Sequence, residues 1–294
     1  MTRFLTFYLI AVFTAVSLTG CIWRSGRDAA TETNTETASA NTNISVPTPS
    51  AKRPASRFKQ LDQGDFIVSS GTVRNQIYLG IDEQIKDEKI LEKAADKLNR
   101  AFILPKDVTL RIAECGEANS SYDPNTQTVT VCLELMETYY RLFKRAGISD
   151  DAAYGKMFDA VRFIFLHEVA HALIDVYDIP ITGSEEDAAD RCSAFINITE
   201  LGDDGVRAVF AAADALSQES KDDKAGRANM SDEHLLSGQR SFNSLCMIYG
   251  SDPKKYRNIV TDKYLPTERA DTCEEEFKRT SQSWAVLLDP WRKN

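Results

Sequence analysis

The chain has 294 residues, 43% hydrophobic and 27% charged, a globular composition long enough to bury one substantial core. Acidic residues outnumber basic ones by 44 to 35, for a net charge of −9. With no Lys/Arg run to set against that balance, a nucleic-acid partner is not expected, because neutralising phosphates needs a basic face.

In chain order, the first segment reads as an export signal and not as part of the fold. Arg3 supplies a positive charge ahead of an almost wholly apolar run from Phe4 to Leu18. The run is shorter than the roughly 20 apolar residues that a membrane-spanning helix needs. Leu18-Thr19-Gly20-Cys21 resembles the bacterial lipobox. That resemblance implies removal of residues 1–20, acylation of Cys21 and a lipid anchor in a membrane, with the domain outside the cytoplasm. Several acyl chains anchor stably where one is marginal. Residues 21–57 follow as a Thr-, Ser-, Asn-, Ala- and Pro-rich tether, too polar to bury a core. The folded domain is expected over residues 58–294.

Phe66 to Ile81 contains strand-like pieces, and Asp82 to Leu104 has the apolar spacing of one amphipathic helix. Strands are expected over Asp107–Ala113 and Gln127–Leu135, the second alternating Val129, Val131 and Leu133 against polar neighbours. A helix is expected over Met136–Ala146, then a long and increasingly apolar one over Asp151–Asp178. From Ser184 onward the pattern is helical, broken near Gly202, across Ser217–Ser231, and at Pro253 and Pro266. The fold class is therefore α+β, a small sheet followed by a mainly helical part.

Export would let the cysteines oxidise. Spacing alone leaves their connectivity open. Cys115 and Cys132 flank a hairpin-like segment that turns at Asp123-Pro124-Asn125-Thr126, and Cys246 and Cys273 lie in two C-terminal helical segments. The expected bridges are Cys115–Cys132 and Cys246–Cys273, which leaves Cys192 as a buried thiol.

His167-Glu168-Val169-Ala170-His171 is an H-E-x-x-H motif. Residues i and i+4 share a helix face, so the two imidazoles can converge on one metal ion. Glu168 lies about 100° round the helix, beside the metal, where it can take a proton from water. Apolar residues 163–166 and 172–174 bury the motif, and buried polar groups without partners cost several kcal/mol. Zn²⁺ would answer that cost. A catalytic site needs a third protein ligand. Asp175, about 12 Å along the helix from His167, is too far to serve. If the chain reverses near Pro180 and Gly183, Glu186 and Asp190 share one face of a second helix. Glu186 could then ligate the ion and Asp190 could hold a histidine. The same acids would also complement a helix N-terminus, and Glu185 or Asp187 stand next in line as ligand.

Glu186, Ala189 and Asp190 resemble the E-x-x-A-D element of gluzincin peptidases, whose first acid binds zinc and whose second orients a histidine. From about Cys115 to Trp284 the chain resembles a bacterial metallopeptidase-like family of unknown function. The matching pieces are 115–119, 167–171, Glu186 to Asp190, 232–234, 246–250 with Asp252-Pro253, Leu265-Pro266, Arg269-Ala270 and Cys273. The resemblance implies a zincin-like fold with an edge strand and an active-site helix. It also implies a peptide or protein substrate paired along the edge that begins at Asn119. A downstream histidine steadies the oxyanion in thermolysin-like gluzincins; His234, Tyr249 or Arg240 could do so here, and His234 could equally cap a surface helix.

The expected function is peptide-bond hydrolysis, with zinc on His167, His171 and Glu186 and with Glu168 as general base. The rival is a non-catalytic metal-binding or cell-envelope-binding lipoprotein on the same fold. A fourth side-chain ligand would favour the rival, and an open fourth position the enzyme.

Overall fold

The computed structural model describes residues 62–221 and 233–293. The signal segment, Cys21, the tether and Asp232 lie outside the described residues.

Strand β1 (Phe66–Ser70) opens the fold, followed by helices α1 (Gln76–Asp87) and α2 (Ile90–Ala101). The strand-like reading of 66–81 thus holds only to Ser70. Beyond it, the Asn75 side chain accepts a hydrogen bond from the Ile77 amide at 3.1 Å and starts a helix. The single helix expected over Asp82–Leu104 is also two helices. Lys89 adopts a left-handed φ of 52°, which an α-helix cannot pass through, and α2 restarts beyond it.

Strands β2 (Val108–Ala113), β3 (Ser120–Asp123) and β4 (Thr128–Cys132) complete a four-stranded sheet in the order β1-β2-β4-β3. β1, β2 and β4 are parallel, while β3 pairs antiparallel with β4 and forms the edge. At the other edge, Asn99 on α2 pins β1, its side chain exchanging hydrogen bonds with the Phe66 backbone at 2.7 and 3.0 Å. The strand expected to reach Leu135 stops at Cys132. From there Leu133, Met136, Tyr139, Leu142 and Phe143 are buried at helical spacing, so α3 (Leu133–Arg145) takes over.

The rest is helical: α4 (Asp150–Tyr177), α5 (Glu185–Glu200), α6 (Gly202–Glu219), α7 (Ser237–Ser251), the short α8 (Asn258–Thr261) and α9 (Thr267–Ala270), and α10 (Cys273–Leu288). This is the expected α+β arrangement. Helix α4, 28 residues long, links two cores. Its first half, including Met157, Ala160 and Phe163, packs in a core with α3, α6 and α7. Its second half, including Leu166, Val169, Leu173 and Tyr177, packs in a core with the sheet, α2, α5 and α10. The H-E-x-x-H motif begins where α4 passes from the first core to the second. No described helix is long and apolar enough to cross a membrane.

Both expected disulfides are present, Cys115–Cys132 and Cys246–Cys273, and Cys192 is a buried free thiol. Gly250 allows the close approach of α7 and α10 at the second bridge, since a Cβ there would lie 2.1 Å from the Cys273 carbonyl oxygen. Disulfides persist in oxidising compartments, which places this domain outside the cytoplasm.

Candidate metal centre

The second half of α4 is apolar on nearly every side, so its polar residues must find partners on whatever packs against them. Helix α5 supplies them, running antiparallel to α4 in three rungs. Ser193 Oγ donates to the Phe163 carbonyl at 2.7 Å, His167 Nδ1 meets Asp190 Oδ1 at 2.8 Å, and His171 faces Glu185 and Glu186. Partners four apart on α4 meet partners three to five apart on α5, which keeps the rungs on one face of each helix.

The Nε2 atoms of His167 and His171 lie 3.2 Å apart and point at the same place. Glu186 stands before both, with Oε2 at 3.1 Å from His167 Nε2 and Oε1 at 3.3 Å from His171 Nε2. The two Nδ1 atoms face carboxylates, Asp190 for His167 and Glu185 for His171, each at 2.8 Å. A carboxylate only accepts, and each imidazole faces one at both nitrogens, so without a metal both nitrogens can carry protons. An ion at the Nε2 atoms would replace the inner protons, and Asp190 and Glu185 would hold the Nδ1 protons that orient each ring.

Asp190 is itself held from α7. Arg240 donates to it twice, Nε to Oδ2 at 2.7 Å and Nη2 to Oδ1 at 2.8 Å. Arg240 therefore orients Asp190. Tyr249, further along α7, packs against the core shared by α3, α4 and α6.

Glu168 is buried beside His167 and turns toward the sheet, where Ser120 Oγ donates to its Oε1 at 2.7 Å. Ser120 is the first residue of edge strand β3, and Tyr122, on the same face, donates to Asp175 at 2.7 Å. Ser120 thus ties the edge strand to the motif helix. Asn119 sits at the entrance to the strand, its backbone carbonyl accepting from the Cys132 amide at 3.1 Å. Neither Ser120 nor Arg240 had a local signal for its contact, since each meets a residue far away in the chain.

His234 arrives just ahead of α7, its Nε2 2.8 Å from Glu186 Oε2. All three histidines of the chain thus meet one carboxylate. Ligand atoms of His167, Glu168 and His171 lie within 4.8 Å of one another, as do those of His167, Glu186 and His234.

The electrostatics follow from these contacts. Burial would raise the Glu186 pKa, but hydrogen bonds from His167, His171 and His234 pull it well below the usual carboxylate range. Burial would lower the His171 pKa, but Glu186 and Glu185 lift it to about 9. His167 is likewise raised, Asp190 and Glu186 outweighing burial, and Asp190 is lowered by the Arg240 clamp. The donor set concentrates protons at the point where the Nε2 atoms converge. Two imidazole nitrogens and a carboxylate in that position fit a borderline divalent cation.

A family model described as "Putative metallopeptidase" matches residues 72–288, from α1 to the end of α10. No curated protein and no solved structure matches the chain.

Proposed function

The chain belongs to that metallopeptidase family, and from this premise we propose that it is a zinc peptidase anchored to a membrane through Cys21. The observation that carries the reading is the convergence of two Nε2 atoms whose Nδ1 atoms are each fixed by a carboxylate. His167, His171 and Glu186 would hold the ion. Zinc bound there supplies a Lewis acid for the scissile carbonyl and lowers the pKa of water toward about 7. Ser120 fixes one oxygen of Glu168 and leaves the other to take the proton of the attacking water and return it to the leaving amine. Strand β3 has no outer neighbour among the described residues, so an extended peptide starting near Asn119 could add to it beside Glu168.

One observation favours the second reading, a non-catalytic metal-binding or envelope-binding protein. His234 supplies a fourth donor at Glu186, and structural zinc sites are closed by four protein ligands. Against it stands Glu168, a buried carboxylate of which a structural site makes no use.

The test separates the two glutamates. Glu168→Gln should keep zinc while lowering turnover of a peptide substrate by roughly 10²–10⁴-fold. Glu186→Ala should lose zinc by elemental analysis, with activity partly restored by added zinc. A Glu168→Gln protein that hydrolyses peptides at the wild-type rate would end the proposed mechanism.

A further inference from the structure

We propose that His234 is a fourth, solvent-side ligand of the ion, closing the resting site, and that substrate must displace it. This rests on the metal site proposed above and goes beyond its three ligands. Two facts point to coordination over a role on the substrate alone. His234 Nε2 and His167 Nε2 approach the same oxygen, Glu186 Oε2, at 2.8 and 3.1 Å. The nitrogen that His234 presents is therefore already among the other donors, within 4.8 Å of those of His167 and Glu186. The rings of His167 and His234 are also nearly parallel, inclined by 23° with centroids 6.3 Å apart, so both imidazoles approach Glu186 in similar orientation.

His234 also differs from the other histidines in a way that suits an exchangeable ligand. His167 and His171 project from the buried half of α4, their side chains 4% and 12% exposed. His234 lies outside any helix, between residues outside the described set and α7, and is 40% exposed. A ligand on a rigid buried helix stays in place; one on a short exposed segment can swing out at small cost, since little apolar surface is unpacked. The two α4 histidines with Glu186 then form the permanent site, and His234 occupies the position that a catalytic zinc keeps for solvent or substrate. This reconciles four donors with a retained general base: the site is closed at rest and open when His234 leaves.

The experiment uses the full chain loaded with zinc or cobalt and needs no peptide substrate. Zinc affinity is measured by chelator competition for wild type, His234→Ala, His234→Gln and Asp190→Ala. Both His234 variants should weaken zinc binding by more than the roughly 10–100-fold expected when an outer hydrogen-bond partner of a ligand is removed, for which Asp190→Ala is the comparator. His234→Gln keeps a donor for Glu186, so its loss separates coordination from that hydrogen bond. With Co²⁺ in the site, azide should change the visible spectrum of His234→Ala and leave the wild type unaltered, and added imidazole should block azide in the variant. Unchanged zinc affinity in both variants, or a wild-type spectrum as sensitive to azide as the variant's, overturns the proposal while leaving the three-ligand site intact. A wild type that takes up neither metal overturns both.

Discussion

The two flanks of the candidate metal centre are built alike and embedded differently. On each, a histidine of α4 turns Nδ1 to a carboxylate of α5 at 2.8 Å. On the inner flank the carboxylate is Asp190, 12% exposed, and Arg240 clamps both its oxygens. On the outer flank it is Glu185, 52% exposed, in the first turn of α5. The same hydrogen bond thus serves two ends. Inside, it is part of a buried charge network; outside, it lies where solvent can replace it. The supporting carboxylates thus separate a fixed half of the candidate site from an adjustable one.

The largest expected effect tests the inner flank. Arg240→Ala removes one partner of a buried pair and leaves the Asp190 carboxylate without its cation, which should destabilise the domain by about 3–5 kcal/mol. Glu185→Ala breaks an exposed contact and should cost about 0–1 kcal/mol. Denaturant unfolding of the two variants without added metal measures both. Comparable losses would mean that the two flanks are not distinct.

How much of this was legible in the sequence follows how local each relation is. The α4 histidines were legible because a helix fixes the geometry of residues four apart, and the same rule put Glu186 and Asp190 on one face. The α+β order was also legible; both disulfides were expected and are present, though only the first had a local cue, its cysteines flanking a hairpin turn, and spacing left the connectivity open. Boundaries were less so. Asn75 capping and the left-handed turn at Lys89 each overrode an apolar pattern that reads equally well either way. What the sequence hid was contact across distance. Arg240 is 50 residues from Asp190 and Ser120 is 48 from Glu168, and neither pair shares an element whose period could reveal it. Arg240, named only as a possible oxyanion group, orients Asp190, because α7 packs against α5.

A smaller effect sharpens the comparison at the metal itself. Asp190→Asn leaves the side-chain shape but removes the charge that fixes His167, so zinc affinity should fall by about 10–100-fold. Glu185→Gln keeps a hydrogen-bond acceptor for His171 Nδ1 at an exposed position, where water can also serve, and should cost at most about tenfold. Competition with a chromogenic chelator at one pH gives both values. A larger loss for Glu185→Gln would move the fixed half of the site to the outer flank.

The smallest effect concerns protons, and the outer flank sets its window. The His171 pKa stands at about 9 against an ordinary value of 6.5, because the pull of Glu186 and Glu185 outweighs burial. A raised histidine pKa means that the protonated form is bound more tightly in the folded state. Its contribution to stability is complete below pH 6.5 and is lost as pH rises through about 9. Zinc requires the neutral imidazole, so its affinity has the opposite slope and should climb by up to about tenfold per pH unit for this proton across the same window. Melting curves at pH 6.5, 7.5 and 9 should therefore show metal-free protein losing stability toward high pH while zinc-loaded protein gains relative to it. Glu185→Gln removes one of the charges that hold the proton, and should shift both trends to lower pH. An unchanged window in that variant would assign the elevated pKa to Glu186 and Glu168 and leave the outer carboxylate with orientation as its sole task.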